Sequence, residues 1–131
     1  MDEKQAKLTV YICGFDVRRE SADSPWQIAT HDKTGAIFAD LRCLAAKNLW
    51  LSGLVKQFIT VAGPDKNTGA AKAPIMKEIL ARDWQIPEDY IISINSKPFT
   101  EGNIEEVAKD IRLRQLNQDD CLILTNAYQI M

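Results

Sequence analysis

The chain has 131 residues, of which 46% are hydrophobic and 26% are charged, an ordinary globular balance. This length predicts a single domain over residues 1–131, large enough to fold around its own core without staples. The net charge of −2 argues against binding to nucleic acid, because nucleic-acid-binding proteins present a basic surface.

The first half of the chain alternates apolar runs with polar segments. Leu8–Cys13 reads as a strand that is buried on both faces. The polar segment 16–34 is long for a loop between a strand and a helix, and such loops are often functional or mobile. A helical period of apolar residues, mainly Phe38, Leu41, Leu44 and Leu49, then predicts a helix over about residues 36–52, ended by Gly53.

The second half repeats the alternation. Strands are predicted at residues 56–61, 90–94 and 121–124. A helix should begin near Ala73, because a proline such as Pro74 is tolerated in a first turn. A third helix is predicted after Asn103, with Ile104, Val107, Ala108, Ile111 and Leu113 or Leu116 on its buried face.

Strands that alternate with helices predict a three-layer α/β/α fold with a mostly parallel, doubly wound, Rossmann-like sheet. In such sheets, ligands bind beyond the carboxyl ends of the strands. Gly14 and Gly63 follow two of the predicted strands and would let backbone N–H groups approach an anion. The alternative is that both glycines only form tight turns, since neither nucleotide-binding fingerprint is present.

Polar side chains also cluster after the later strands. Thr100 and Asn103 either donate hydrogen bonds to a ligand or cap the third helix, and capping is their commoner use. Thr125, Asn126 and Tyr128 follow the last strand, where such crowding favours a ligand, although Tyr128 could pack on the sheet edge instead.

The carboxylates, the thiols and the single histidine give weaker evidence for a catalytic or metal-binding site. Asp16 and Asp65 follow strand ends, where a general base or a metal ligand would lie, but each is commoner as a turn residue. His31 reads as a surface residue, and no ligand spacing predicts a metal site. Cys13, Cys43 and Cys121 read as reduced thiols, the first and last of them in the core, which favours a cytoplasmic protein.

No run is long and apolar enough to span a membrane, and the polar start, Met1–Lys7, does not read as a secretory signal.

Several motifs in their order and spacing resemble the YdcF-like family, a domain of unknown function whose members include SanA- and ElyC-type envelope proteins. The family pattern R-x-x-x-A-x-x-L-[YW]-x-x-G fits Arg42, Ala46, Leu49, Trp50 and Gly53, and Ala62-Gly63 fits the end of the next strand. Met76 and the run Gln85–Ile91 fit G-[IV]-P-x-x-x-I, with Gln85 replacing the glycine. Thr100 and Asn103 fit a T-x-E-N turn, and Thr125–Tyr128 fits a closing T-[SN]-A-Y-H motif.

The resemblance implies a domain that binds a small anionic or nucleotide-like ligand, with S-adenosylmethionine or a nucleotide as the cofactor class. The residues that it places around this ligand are Gly14, Asp16, Arg42, Gly63, Asp65, Thr100, Asn103, Thr125, Asn126 and Tyr128. The chain departs from the pattern at Lys72, Gly102 and Gln129, where the family has two acids and a histidine.

These departures leave two alternatives open: an enzyme on a phosphorylated or nucleotide substrate, with Asp16 and Asp65 as its acid–base pair, or a non-catalytic assembly module. The family domain also continues beyond the position of Met131, so the resemblance implies a missing C-terminal part. The apolar surface that such a part would cover is expected to drive homo-oligomerisation.

Overall fold

The computed structural model describes residues 6–15, 17–29, 35–65, 68–96 and 99–125, with side chains described from residue 40 in the first helix and residue 103 in the third. The strands are β1 (Leu8–Cys13), β2 (Val17–Arg18), β3 (Gln27–Ile28), β4 (Val55–Ala62), β5 (Ile91–Asn95) and β6 (Cys121–Leu124). The helices are α1 (Gly35–Leu51), α2 (Lys72–Asp83) and α3 (Phe99–Leu113).

Four strands form one sheet in the order β5-β4-β1-β6, and each neighbouring pair is parallel. The chain builds β1, β4 and β5 outward in one direction and then returns through α3 to place β6 on the other side of β1. Helices cover both faces of the sheet. The predicted α/β, Rossmann-like fold with a parallel sheet is therefore confirmed.

One face of the sheet packs against α1 and α2. Side chains that alternate along the strands, such as Val10 and Phe58, join Met76 of α2 in a fully buried cluster. The first turn of α2 is held by polar contacts as well: the hydroxyls of Thr60 and Ser93 donate to the carbonyl oxygen of Ala73 at 2.8 and 3.1 Å. These bonds fix the amino end of α2 over β4 and β5.

The opposite face packs against α3. Tyr11, Ile59 and Val61 point to this side because side chains alternate along a strand, and they meet Val107 of α3. The two clusters lie on opposite sides of one pleated sheet, which explains why β1 carries apolar residues at almost every position.

The described part of the polar segment after β1 forms a small packed hairpin, which its composition did not predict. Strands β2 and β3 pair antiparallel, and Val17 and Trp26 are buried in the cluster under α1 and α2. Arg82 of α2 donates to the carbonyl oxygen of Trp26 at 2.6 Å, and the guanidinium of Arg19 lies 4.4 Å from the indole centroid. A few apolar residues among many polar ones thus anchor the hairpin, although residues 16 and 30–34 lie outside the described part.

Helix α1 presents a different face to the sheet from the one predicted. Leu41 and Leu44 are 55% and 45% exposed, whereas Cys43 and Ala46 are fully buried. Small side chains let a helix approach a sheet closely, and here they define the inner face of α1. The helix ends as predicted, with Gly53 at a φ of 78° just beyond it.

Helix α3 begins a full turn earlier than predicted. It starts at Phe99, so Thr100 and Asn103 are helical residues and the prediction that they cap it is wrong. Its predicted buried face is only partly right: Val107 is buried, but Ile104 and Leu113 are 42% and 73% exposed. A local sequence pattern contains no information on where the helix axis lies relative to the sheet.

The described cysteines are all unpaired, and Cys13 and Cys43 are buried. Cys121 was predicted to be core but is only half-buried, because β6 lies at the edge of the sheet. None of the helices in the described ranges has the length and apolar character to cross a membrane.

Candidate ligand site at the carboxyl edge of the sheet

The carboxyl ends of the four parallel strands bring several predicted site residues to one edge of the sheet. Gly14 follows β1, Gly63 follows β4, and Thr125 follows β6. The amino end of α3, with Thr100 and Asn103, lies at the same edge because α3 follows β5 directly. The strand order reverses at β1, and ligands of such sheets bind at this kind of reversal.

Gly14 is favoured at its position by a close approach and not by an unusual backbone angle. Its φ is not among the positive values, which among the described glycines belong to Gly53 and Gly69. A β-carbon on Gly14 would lie 3.0 Å from the β-carbon of Ala62 and 3.8 Å from Nδ2 of Asn103. The ends of β1 and β4 and the first turns of α3 therefore meet at Gly14.

Arg42 of α1 reaches back to the same turn. Its Nη1 donates to the carbonyl oxygens of Cys13 and Gly14 at 3.1 and 3.0 Å. The side chain is 5% exposed, and its guanidinium carbon lies 5.8 Å from the centroid of the Phe15 ring. Arg42 thus holds the turn after β1 in place and puts a buried positive charge beside it.

The thiol of Cys13 lies just below this turn. Burial raises its pKa to about 11, although the charge of Arg42 opposes that shift. The neutral thiol is therefore the form present at physiological pH, and Cys13 lacks the low pKa of a reactive cysteine.

Asn103 is fixed by a contact that its sequence position did not suggest. Its Oδ1 accepts a 2.6 Å hydrogen bond from the hydroxyl of Ser96, which directly follows β5. The residue is 9% exposed, and its amide nitrogen is directed towards Gly14. Asn103 therefore belongs to the strand ends and not to a helix cap.

Asp65 has the role of a turn residue. Its Oδ2 accepts from the backbone N–H of Thr68 at 3.0 Å and from the Thr68 hydroxyl at 2.9 Å. Its backbone N–H donates to Ala70 and its carbonyl accepts from Gly69, at 2.7 and 2.8 Å. The side chain is buried, so its described contacts organise the loop between β4 and α2.

The remaining predicted site residues are less informative. Thr125 is half-buried after β6. Asp16, His31, Asn126 and Tyr128 lie outside the described residues, and the side chain of Thr100 is not described.

Two residues at this edge were missed by the sequence argument. Ala62 matters because it is the small neighbour that Gly14 touches, and Ser96 matters because it orients Asn103. A small residue before Gly63 was a visible signal for the first, but no sequence signal pairs Ser96 with Asn103.

Two cavities that are lined by described residues lie away from this edge. One of about 410 Å³ is at the amino ends of the strands, where Lys7, Lys56 and Asp120 contribute to its wall. Another, of about 230 Å³, lies between α3 and β6. The carboxyl edge is recognised by its strand ends and by the charged side chains of Arg42 and Asp65.

Comparison with family models, with curated proteins and with solved structures finds no match to this chain.

Proposed function

We propose that the chain is a YdcF-like domain that binds a small anionic or nucleotide-like ligand at the carboxyl ends of β1, β4 and β6. The observation that carries the proposal is the arrangement around Gly14. Gly14 lacks a side chain, and its carbonyl oxygen accepts a hydrogen bond from the buried cation Arg42. It lies beside the amino-terminal turns of α3. Backbone N–H groups, a positive charge and a helix amino end are the groups that bind anions in proteins.

Several described positions that resemble the family have environments that suit such a pattern. Arg42 and Ala46 are on the buried face of α1, and Leu49 and Trp50 pack against the core beside them. Gln85 stands where the family has glycine, and its φ of 57° is the left-handed conformation that glycine adopts most readily. These environments support the resemblance, and through it the nucleotide or S-adenosylmethionine class of ligand.

Binding without catalysis is favoured over an enzyme with Asp16 and Asp65 as an acid–base pair. A general base must have its carboxylate directed at the substrate. Both described side-chain contacts of Asp65 are instead with Thr68 of its own loop.

The test is a thermal-shift series with inorganic phosphate, AMP, ATP and S-adenosylmethionine. A ligand present at about 100 times its Kd adds about 2.7 kcal/mol to the free energy of unfolding, which raises Tm by several degrees. We expect at least one of these compounds to do so. The proposal is abandoned if none stabilises the protein at millimolar concentration.

Asn103→Asp locates the site. The new carboxylate keeps an acceptor for Ser96 but adds a negative charge beside Gly14, so it should weaken binding of an anion. Asn117→Asp is the matched control, since Asn117 accepts from the N–H of Asp119 near the amino end of β6, at the opposite edge. If the ligand-induced rise in Tm is lost in N103D alone, the result supports a site beside Gly14. An equal loss in both variants would show that the ligand does not bind beside Gly14.

A further inference from the structure

In the described part of the chain, strand β6 forms an edge of the sheet that no other strand covers. It pairs with β1 along one edge, and no described strand pairs with its other edge. Leu122 and Ile123, which point to opposite faces of the sheet, are 40% and 43% exposed. An apolar edge strand of this kind pairs readily with another strand, because its backbone N–H and C=O groups lack sheet partners.

A groove continues this apolar surface on the face that carries α3. It has a volume of about 230 Å³ and lies between the helix and Ile123. Its wall is formed on the helix by Ile104, Val107, Ala108 and Ile111, with Arg112 at one end. These positions repeat at the spacing of one helix face, so the groove is the outer margin of the same apolar stripe that packs on the sheet through Val107 and Ile111.

We propose that β6 and this groove are the contact surface for a second copy of the chain, related by a twofold axis perpendicular to the sheet. The two β6 strands would pair antiparallel and join the two sheets. Directly opposed residues of an antiparallel pair point to the same face. A register centred on Ile123 therefore sets this residue beside Ile123 of the second copy, next to both grooves.

The charges on α3 favour a second copy in this antiparallel arrangement. Glu105 lies in the amino-terminal half of the helix, whereas Lys109 and Arg112 lie in the carboxyl-terminal half, and all three are exposed. A twofold axis at the level of Ala108 would set Glu105 of each copy towards Arg112 of the other. A parallel arrangement would instead set like charges side by side.

The ends of β6 fit the same arrangement. Asp119 and Asp120 directly precede the strand. Antiparallel pairing sets this acidic turn at opposite ends of the two-stranded contact, which keeps the four carboxylates apart. The surface is therefore complementary to itself, as an isologous interface must be.

The experiment measures the mass of the full chain by sedimentation velocity and light scattering over a dilution series. We expect a concentration-dependent dimer. Ile123→Lys should raise its dissociation constant at least about tenfold, because a lysine in the centre of the contact would lose hydration. Leu113→Lys is the matched control, since Leu113 is 73% exposed and is not part of the groove wall, and it should leave the dissociation constant unchanged.

Charge reversal tests the orientation without altering the apolar contact. Glu105→Arg and Arg112→Glu should each weaken the dimer, and the double variant should restore it because the pair is re-formed with opposite sign. A monomer at every concentration, or a dimer that tolerates I123K, overturns the proposal. A dimer that is lost in I123K but is indifferent to all three charge variants overturns the antiparallel arrangement.

Discussion

The hydroxyl group of Tyr11, in the middle of β1, donates a 2.6 Å hydrogen bond to Asp110 of α3, which lies 99 positions later in the chain. Arg114 donates to both oxygens of the same carboxylate at 2.9 and 2.8 Å. Tyr11 is fully buried and Asp110 nearly so, and the phenol pKa is raised by burial and by the nearby carboxylate. This polar connection fixes α3 over the centre of the sheet.

Tyr11→Phe should therefore lower the free energy of unfolding by about 1–2 kcal/mol, since it removes a hydrogen bond to a charged acceptor. Asp110→Ala should lower the free energy of unfolding further, by about 3 kcal/mol, because it leaves the buried Tyr11 hydroxyl without its acceptor and Arg114 without its ion partner. Urea unfolding measures both changes. Tyr90→Phe is the control, since Tyr90 is 44% exposed, and equal effects of Y11F and Y90F would contradict this role for Tyr11.

A side chain at Gly14 should destabilise the strand ends. Gly14→Ala places a β-carbon 3.0 Å from that of Ala62, and relief of the overlap should cost about 1–3 kcal/mol. Unfolding of the single variants and of the double variant G14A/A62G gives the coupling energy. The cost of G14A should be smaller when residue 62 is glycine, and strictly additive effects would rule out the contact.

Glycine should stabilise the chain at two glutamines. Gln85 and Gln115 have φ values of 57° and 56°, a left-handed conformation that penalises any β-carbon. Gln115 ends α3 with hydrogen bonds from its own N–H to Arg112 and from Leu116 to Ile111, at 3.1 and 3.0 Å, the pattern in which glycine is preferred.

We expect Q85G and Q115G each to raise the free energy of unfolding by about 0.5–1 kcal/mol, after allowance for the greater chain entropy of glycine. Gln118→Gly is the control because Gln118 is exposed and has no positive φ, and it should not stabilise. The denaturant midpoints of the variants measure these changes. A loss of stability in Q85G would show that the Gln85 side chain contributes more to stability than its backbone strain costs.

Alkaline pH should weaken the fold through its buried thiols. Burial raises the pKa of Cys13 to about 11 and that of Cys43 to about 12, from an ordinary value of 9.0. Both thiols hold their protons more tightly in the folded chain, so the stability that they contribute is present below pH 9 and is lost as the pH rises through 11 to 12.

The free energy of unfolding should therefore fall as the pH rises from 9.0 to about 11, within the window that these pKa values set. The double variant C13A/C43A should show a flatter curve, because alanine keeps an apolar side chain at each site and removes the proton. The buried phenol of Tyr11 adds to the decline above pH 10, so the comparison uses the difference between the two curves. Parallel curves for the two proteins would exclude the thiols as the source of the decline in stability.

The sequence by itself determined the strands and the fold class. β1 and β6 occupy the predicted residues, and Gly53 ends α1 as expected, because these features depend on local chain properties: apolar runs, side-chain alternation and backbone freedom. Alternation of strands and helices was enough to predict a parallel sheet, and hence a candidate site at its carboxyl edge.

Only the tertiary structure decided which faces meet and why particular residues are needed. The inner face of α1, the packed hairpin around Trp26, the pairing of Ser96 with Asn103 and the close approach of Gly14 to Ala62 each join separate segments of the chain. The bond from Tyr11 to Asp110 is the extreme case, across 99 positions. Sequence periodicity reports that a residue has an apolar or polar neighbour somewhere, but the partner is chosen by the packing of all the elements together.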